Sequence, residues 1–446
     1  MRLTKSIMLC ELFTVFALTG AVAVADDFSK LGKELTPWGA PKAGNADGSI
    51  PAWDGGITSP PAGFDPKSGY ISPFPDEKPL YTITASNYSQ YASRLPEGNI
   101  ELLKRNADYK INVYPSHRTH ALTQVQYDAI VREAPGAKLT QDGNGYTGTT
   151  KSVVPFPMPK VGLEVYHNIL MRSRGMGYSR RLASFPVQAD GNFTPSVWQE
   201  DLQFYWNMDN PPANLLYEAT YNYLSPSSIA GGVTLVREPI DKSAESRKAW
   251  AYNPGTRRVL RAPEVGYDSP ATGTDGLLTQ DSFDGINGSP ERFEWKLVGK
   301  EEMIVPYNNF KLTDKSLKYT GIVGKKNLNP DLLRYELHRV YVLEGTLKSG
   351  ARHIYSKRRL LVDEDSFQPV HVDNYDGRGE LWRVQEIFPT YYYDCPCTWT
   401  AAEVSYDLQS GRYFVAGLAN QEQPVVFNQT YRPGYFDPSN MKRLAR

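Results

Sequence analysis

Arg334 to Val384 reads RYELHRVYVLEGTLKSGARHIYSKRRLLVDEDSFQPVHVDNYDGRGELWRV. Arg339 to Leu347 alternates and carries β-branched and aromatic residues, and Lys348-Ser349-Gly350 turns it. His353 to Val362 follows, then Asp363-Glu364-Asp365-Ser366, Val370 to Tyr375, Asp376-Gly377-Arg378-Gly379 and Leu381 to Phe388. Period-two runs joined by short polar turns predict a four-stranded antiparallel meander. A sheet of this kind usually has one solvated face and one apolar face. What covers the apolar face is then the functional question.

The strand pattern extends upstream. Arg180–Gln188, Phe193–Tyr205, Asn214–Tyr223, Gly232–Glu238, Lys248–Tyr252 and Arg257–Arg261 are further candidates, with Asn253-Pro254-Gly255-Thr256 a turn between the last two. In Arg292–Gly299, Phe293, Trp295 and Leu297 point one way and Arg292, Glu294 and Lys296 the other. Before Tyr178 the pattern is helical. Ser86 and Asn99 are plausible N-caps for Asn87–Leu95 and Ile100–Asp108. Thr123 opens Gln124–Glu133, with Val125, Ala129 and Ile130 on one side. Gly162 to Arg172 has an apolar side and is stopped by Gly175. Pro37 to Pro79 holds nine Pro and seven Gly, which excludes regular helix or central strand. It also holds Trp38, Trp53, Phe64, Tyr70 and Phe74, more aromatics than disordered linkers carry, so it reads as an ordered arm across the body.

The N-terminus reads as a secretory signal peptide over residues 1–25: Arg2 and Lys5, an apolar run from Ile7 to Val24, and a small-x-small site at Ala23-Val24-Ala25. Cys10 lacks a lipobox, so a lipid anchor is not expected. The chain divides into that leader, an extended arm over 26–80, and one domain over 81–446, mainly helical to 177 and mainly β thereafter. Without residues 1–25 there remain 47 basic against 48 acidic residues. Nucleic acid, which needs a basic footprint, is excluded on that balance. Cys395-Pro396-Cys397 leaves three readings: a strained, reducible disulfide, two free thiols, or half of a soft-metal site.

Several stretches together resemble one family. They are LTPWGAPKAGNADGSIPAWDGG, PFPMPKVGLEVYHNILMRSRG, KAWAYNPGTRRVLRAP, FEWKLVGKEEMIVPYN, DLLRYELHRVYVLEGTLKSGARHIYSKRRLLVDEDS and YDGRGELWRV. The chain is similar to an exported Gram-negative family of unknown function whose members are often labelled outer-membrane lipoprotein-sorting-like. The resemblance covers nearly all of the chain after residue 25. It implies an α+β fold like that of the lipoprotein carrier LolA and its receptor LolB, an open antiparallel half-barrel with helices on its concave face. It also implies a hydrophobic ligand or acyl chain held on that face. The arm at 37–79 and the helices at 86–172 have no obvious counterpart in those carriers.

Catalytic signatures are sparse. His117 and His120 could share a helix face, but no His-Glu-x-x-His is present. His338, His353 and His371 lie on neighbouring strands and read as satisfied sheet histidines. Asp363-Glu364-Asp365 reads as a hairpin turn rather than a calcium loop. Phosphate-loop and nucleophile-elbow motifs are absent. Arg257, Arg258, Arg261, Lys357, Arg358, Arg359 and Arg378 are expected on the solvated face. The opposite alternates are the ligand-facing candidates: Trp250, Tyr252, Phe293, Trp295, Leu297, Tyr341, Leu343 and Trp382, with Val384 beside them. The expected function is a periplasmic, non-enzymatic carrier or receptor, with no cofactor and no metal. Its expected partners are a hydrophobic small molecule, an inner-membrane exporter and outer-membrane components. An envelope enzyme with a site in Asp281–Gly288 or at Cys395 and Cys397, and a glycan-binding scaffold, are the alternatives.

Overall fold

The structure is a computed structural model and describes residues 27–445 except 207, 209 and 263–266; the expected signal peptide lies outside the described residues. Sixteen strands form one sheet: β1 (Tyr81–Ile83), β2 (Ile111–Val113), β5 (Gly177–Val187), β6 (Ser196–Phe204), β7 (Tyr217–Ser225), β8 (Val233–Glu238), β9 (Lys248–Asn253), β10 (Arg258–Arg261), β11 (Phe293–Pro306), β12 (Tyr335–Leu347), β13 (Lys357–Asp363), β14 (Pro369–Tyr375), β15 (Leu381–Tyr392), β16 (Cys397–Asp407), β17 (Arg412–Leu418) and β18 (Val426–Phe427). Two further strands, β3 (Lys138–Leu139) and β4 (Tyr146–Thr147), make a separate ribbon. The order β1-β2-β12-β13-β14-β15-β16-β17-β5-β6-β7-β8-β9-β10, with β11 beside β12 and β18 beside β5, leaves β1 and β10 unpaired with each other. The sheet is therefore an open half-barrel.

The quoted meander is β12 to β15. Its third turn contains Asp376–Gly379, with Gly379 at φ 80, a conformation glycine adopts without steric cost. β13 begins at Lys357 rather than His353, because the His353 side chain is held by Asp281 outside the ladder.

Among the described residues there are five α-helices: α1 (Glu97–Arg105), α2 (Gln124–Glu133), α3 (Gly162–Met171), α4 (Tyr319–Ile322) and α5 (Met441–Leu444). Around α2 the Thr123 hydroxyl accepts from the Gln126 amide while Gln126 accepts from the Thr123 amide, closing the chain entry. Ala129 and Ile130 are buried as the pattern predicts, whereas Val125 stays exposed. Residues 88–94 form a 3-10 turn instead of an α-helix. Asn99 is not a cap. It sits within α1, where its amide donates to Glu386. His117 and His120 lie on an extended segment, not a helix.

The two faces of the central strands differ from the expected apolar and solvated pair. Leu343, Leu360, Val372 and Ile387 pack with Val165 and Ile169 of α3. On the other face Val384 packs with Leu102 and Leu103 of α1, and Asp373 accepts from the Gly98 amide. Both faces are covered, because the chain is long enough to place helices and loops on each. Arg358, expected in solvent, is fully buried, bound to Asp281, Ser282 and Asn374. Arg257, Arg258, Arg261 and Arg378 are exposed. The acidic turn Asp363–Ser366 is buried too. Asp365 receives two bonds from Arg118, at 2.7 and 2.8 Å, and one from the Trp38 indole at 3.4 Å. Trp38 itself is fully buried, fixing the start of the arm on the body.

Candidate functional site

Alternate residues on β5 to β8 converge in register on the face that carries α3. Arg180 pairs with Glu200, Glu200 with Tyr221, and Tyr221 with Thr234. The row beside it is Leu182, Trp198 and Tyr223, and the row on the other side is Tyr178, Leu202, Ala219 and Val236. Opposite these rows stand the C-terminal end of α3, with Leu170, Arg172 and Arg174, and the segment Phe283–Gly288. Between sheet and cover lies a cavity of about 160 Å³, closed at one side by Trp399, Thr400 and Glu403 of β16.

The polar end of the cavity is organised by Asp284. This residue takes the left-handed conformation, φ 59, which aims its carboxylate back under α3. Its oxygens accept from Arg172, from Arg174 at 3.3 Å, from Thr400 at 2.7 Å, from Gln368 at 3.2 Å and from the Trp399 indole at 3.4 Å. Burial raises the Asp284 carboxyl, but the two guanidiniums outweigh it and hold the group below its usual range. Burial lowers Arg172 to about 10 in spite of that partner. Glu403 has a different environment. It accepts from the Asp284 amide at 2.9 Å and from the Gln385 side chain at 2.9 Å, and among the described residues it is in no ion pair. Burial pushes its carboxyl up to about 8, with the Asp284 charge adding to the rise. The proton affinities of two neighbouring carboxyls are thus pushed in opposite directions, as happens where a site sets each group's environment separately.

Two further ion pairs line the wall. Arg180 bonds Glu200 at 2.7 Å and lies 3.9 Å over the Trp399 ring, and Tyr178 donates to the same carboxylate at 2.9 Å. Arg247 pairs with Glu238 and reaches Asn287 at 2.7 Å. Burial opposes charge on Glu238, and Arg247 and Lys242 together hold its carboxyl below the usual range.

None of the eight residues proposed from sequence lines this cavity. Phe293, Trp295, Leu297, Tyr341 and Leu343 do share the α3 face, but α3 packs directly on them. Gly162 meets the Trp295 backbone so closely that an added Cβ would stand 2.6 Å from it, and Tyr166 rests 4.9 Å from the Trp295 ring. Trp250 and Tyr252 are corrected to the opposite face: they pair in register with Leu235 and Val233, and Tyr252 packs with Phe436 and Met441 of the C-terminal segment. Trp382 donates to Asp407 at 3.1 Å, away from the cavity. The residues that do line it had a signal in the sequence, since Tyr217, Tyr221 and Tyr223 are alternates of one strand. The loop Asp281–Gly288 supplies Asp284, Ile286, Asn287 and Gly288.

Cys395 and Cys397 form a disulfide at the β15–β16 hairpin. Of the three histidines expected on strands, His353 lies before β13, and each has its own partner: His338 meets Glu336, His353 meets Asp281 and His371 meets Asp373. His120 and His167 are fully buried, which lowers each to about 4. Among the described residues no cluster of His, Cys, Asp and Glu is arranged to hold a metal ion, and no helix is long and apolar enough to cross a membrane.

The family model described as protein of unknown function (DUF1329) matches residues 82–442. Uncharacterized protein PA3922 of Pseudomonas aeruginosa is 44% identical over 429 residues, covering 95% of this chain and 94% of its own. A domain described as an outer membrane lipoprotein-sorting protein from Vibrio parahaemolyticus aligns with a TM-score of 0.44 at 15% identity, covering 63% of this chain and 98% of that one. A LolA superfamily protein from Nitrosomonas europaea aligns with a TM-score of 0.39 at 13% identity, covering 62% and 98%. The chain belongs to the DUF1329 family.

Proposed function

We propose that this protein is a non-enzymatic carrier or receptor of the periplasm that holds a hydrophobic small molecule between β5–β8 and the cover made by α3 and residues 283–288. The observation that carries the reading is the cavity, walled by Leu182, Trp198, Leu202 and Val236 and floored by half-buried Tyr221 and Tyr223. Its volume of about 160 Å³ is close to that of an engineered apolar cavity of roughly 150 Å³ that takes benzene. In the closed form the site therefore suits one ring or a short alkyl group. A long acyl chain requires the cover to move. The driving force is burial, about 0.8 kcal/mol for each CH₂ withdrawn from water, and displacement of residues 283–288 would load and release the ligand. An inner-membrane exporter and outer-membrane components are the partners such a carrier would serve.

Native mass spectrometry of protein purified from the periplasm tests the reading. A bound mass present in the wild type and missing in Thr234→Phe, which places a ring in the cavity, supports it. An empty wild type that also leaves the fluorescence of the neutral dye N-phenyl-1-naphthylamine unchanged overturns it.

A further inference from the structure

We infer that the occupant of this cavity is a hydrophobic acid, a ring or short alkyl group bearing one carboxylate that is met by Arg174 and Arg180. The inference rests on the carrier reading and names its ligand class.

The argument is a charge count around the walls. The lining holds four guanidiniums, on Arg172, Arg174, Arg180 and Arg247, and four carboxyls, on Asp284, Glu200, Glu238 and Glu403. Three of those carboxyls take all four cations: Glu200 pairs with Arg180, Glu238 with Arg247, and Asp284 with both Arg172 and Arg174. Glu403 is bonded to amides, and in its protonated form it leaves one cation in excess. Lys242, which shares Glu238 with Arg247, adds to that excess. Uncompensated charge in a low-dielectric interior is destabilising, and the ion-pair network of the walls is incomplete on this count. Arg174 is where it is incomplete. It has only a share of Asp284, its remaining bond goes to the Leu170 carbonyl, and its buried Nε has no partner.

The two arginines also have the right setting. The Arg174 guanidinium lies 4.8 Å from the Phe204 ring and that of Arg180 3.9 Å from the Trp399 ring. Stacking of this kind fixes the plane of the fork, which favours carboxylate recognition at its edge. The apolar wall on β6 and β8 would then take the ring. Chain geometry sets the limit: one ring fills the volume, so the acid group and the ring belong to one small molecule.

The test uses benzoate and its neutral isostere benzamide, titrated by calorimetry into the full chain. Benzoate should bind about tenfold or more tightly than benzamide. That preference should fall to near unity in Arg174→Gln and return in Arg174→Lys. Because Arg174 also touches Asp284, the variants are first compared with the wild type by circular dichroism; if Arg174→Gln does not fold, Arg180→Gln takes its place. Equal affinity for the two probes overturns the inference and leaves the carrier reading standing. Binding of neither also overturns it, and the neutral dye then decides whether the carrier reading fails with it.

Discussion

The two halves of the sheet use the same strand chemistry to opposite ends. In β11–β15 the aromatic alternates are met at van der Waals contact by α3, and in β5–β8 the equivalent alternates face a gap. The difference lies in the cover. α3 presents Gly162 to β11, which lets backbone approach backbone. At its other end the chain leaves the helix through Arg172 and Arg174, and there the cavity separates the cover from β5 and β6. A packed core and a pocket are separated by the identity of the residues above the sheet rather than those on it.

Four substitutions would break or sharpen this contrast. Trp295→Ala should cost about 3–5 kcal/mol in chemical denaturation while the molecules that remain folded keep their ligand; a loss of ligand at full stability would move the pocket to the meander. Glu403→Gln addresses the pH response of the open half. Burial raises this carboxyl from 4.5 to about 8, so the unfolded chain gives up the proton first. Its contribution is fully present below pH 4.5 and declines as the pH rises toward 8. Between pH 5 and 8 the wild type should lose on the order of 3 kcal/mol relative to Glu403→Gln, read from denaturation curves at the two pH values. Trp250→Ala removes a ring flanked by Arg237 and Arg261 at 5.3 and 5.7 Å. It should cost about 1–2 kcal/mol and leave ligand binding unchanged, because the ring is on the far face. Thr234→Phe should shift stability by about 1 kcal/mol or less, since the ring enters existing space, yet abolish the bound mass.

Much of the fold was legible because it is local. The meander strands, the turns after Leu347 and Tyr375, and the start of α2 after Thr123 depend on near neighbours in sequence. The site was not legible, because it depends on register and on covering elements. Alternation along Lys248–Asn253 shows that Trp250 and Tyr252 share a face, but only their pairing with Leu235 and Val233 shows which face. Glu403 sits between Ala402 and Val404 on β16, a setting that carried no expectation of a buried carboxyl. Its neighbour Asp284 comes from a loop 119 residues away, beyond the reach of pattern. The solvated face failed for a related reason: Arg358 looks like surface until Asp281 is brought to it.

The bond between Trp38 and Asp365 spans 327 residues, and this has a consequence in time. At a synthesis rate of roughly 5–20 residues per second, about 15–65 s separate the appearance of the two ends of that contact. Within that interval the arm has only part of its dock, such as the His120 carbonyl that the Trp53 indole bonds, while Arg118 waits for the same turn. The arm is therefore made early and completed late, and a chain cut short before residue 363 should hold residues 27–80 less firmly against proteolysis. The Asp365 carboxylate ties Trp38 and Arg118 together only once the meander turn that carries it has been made.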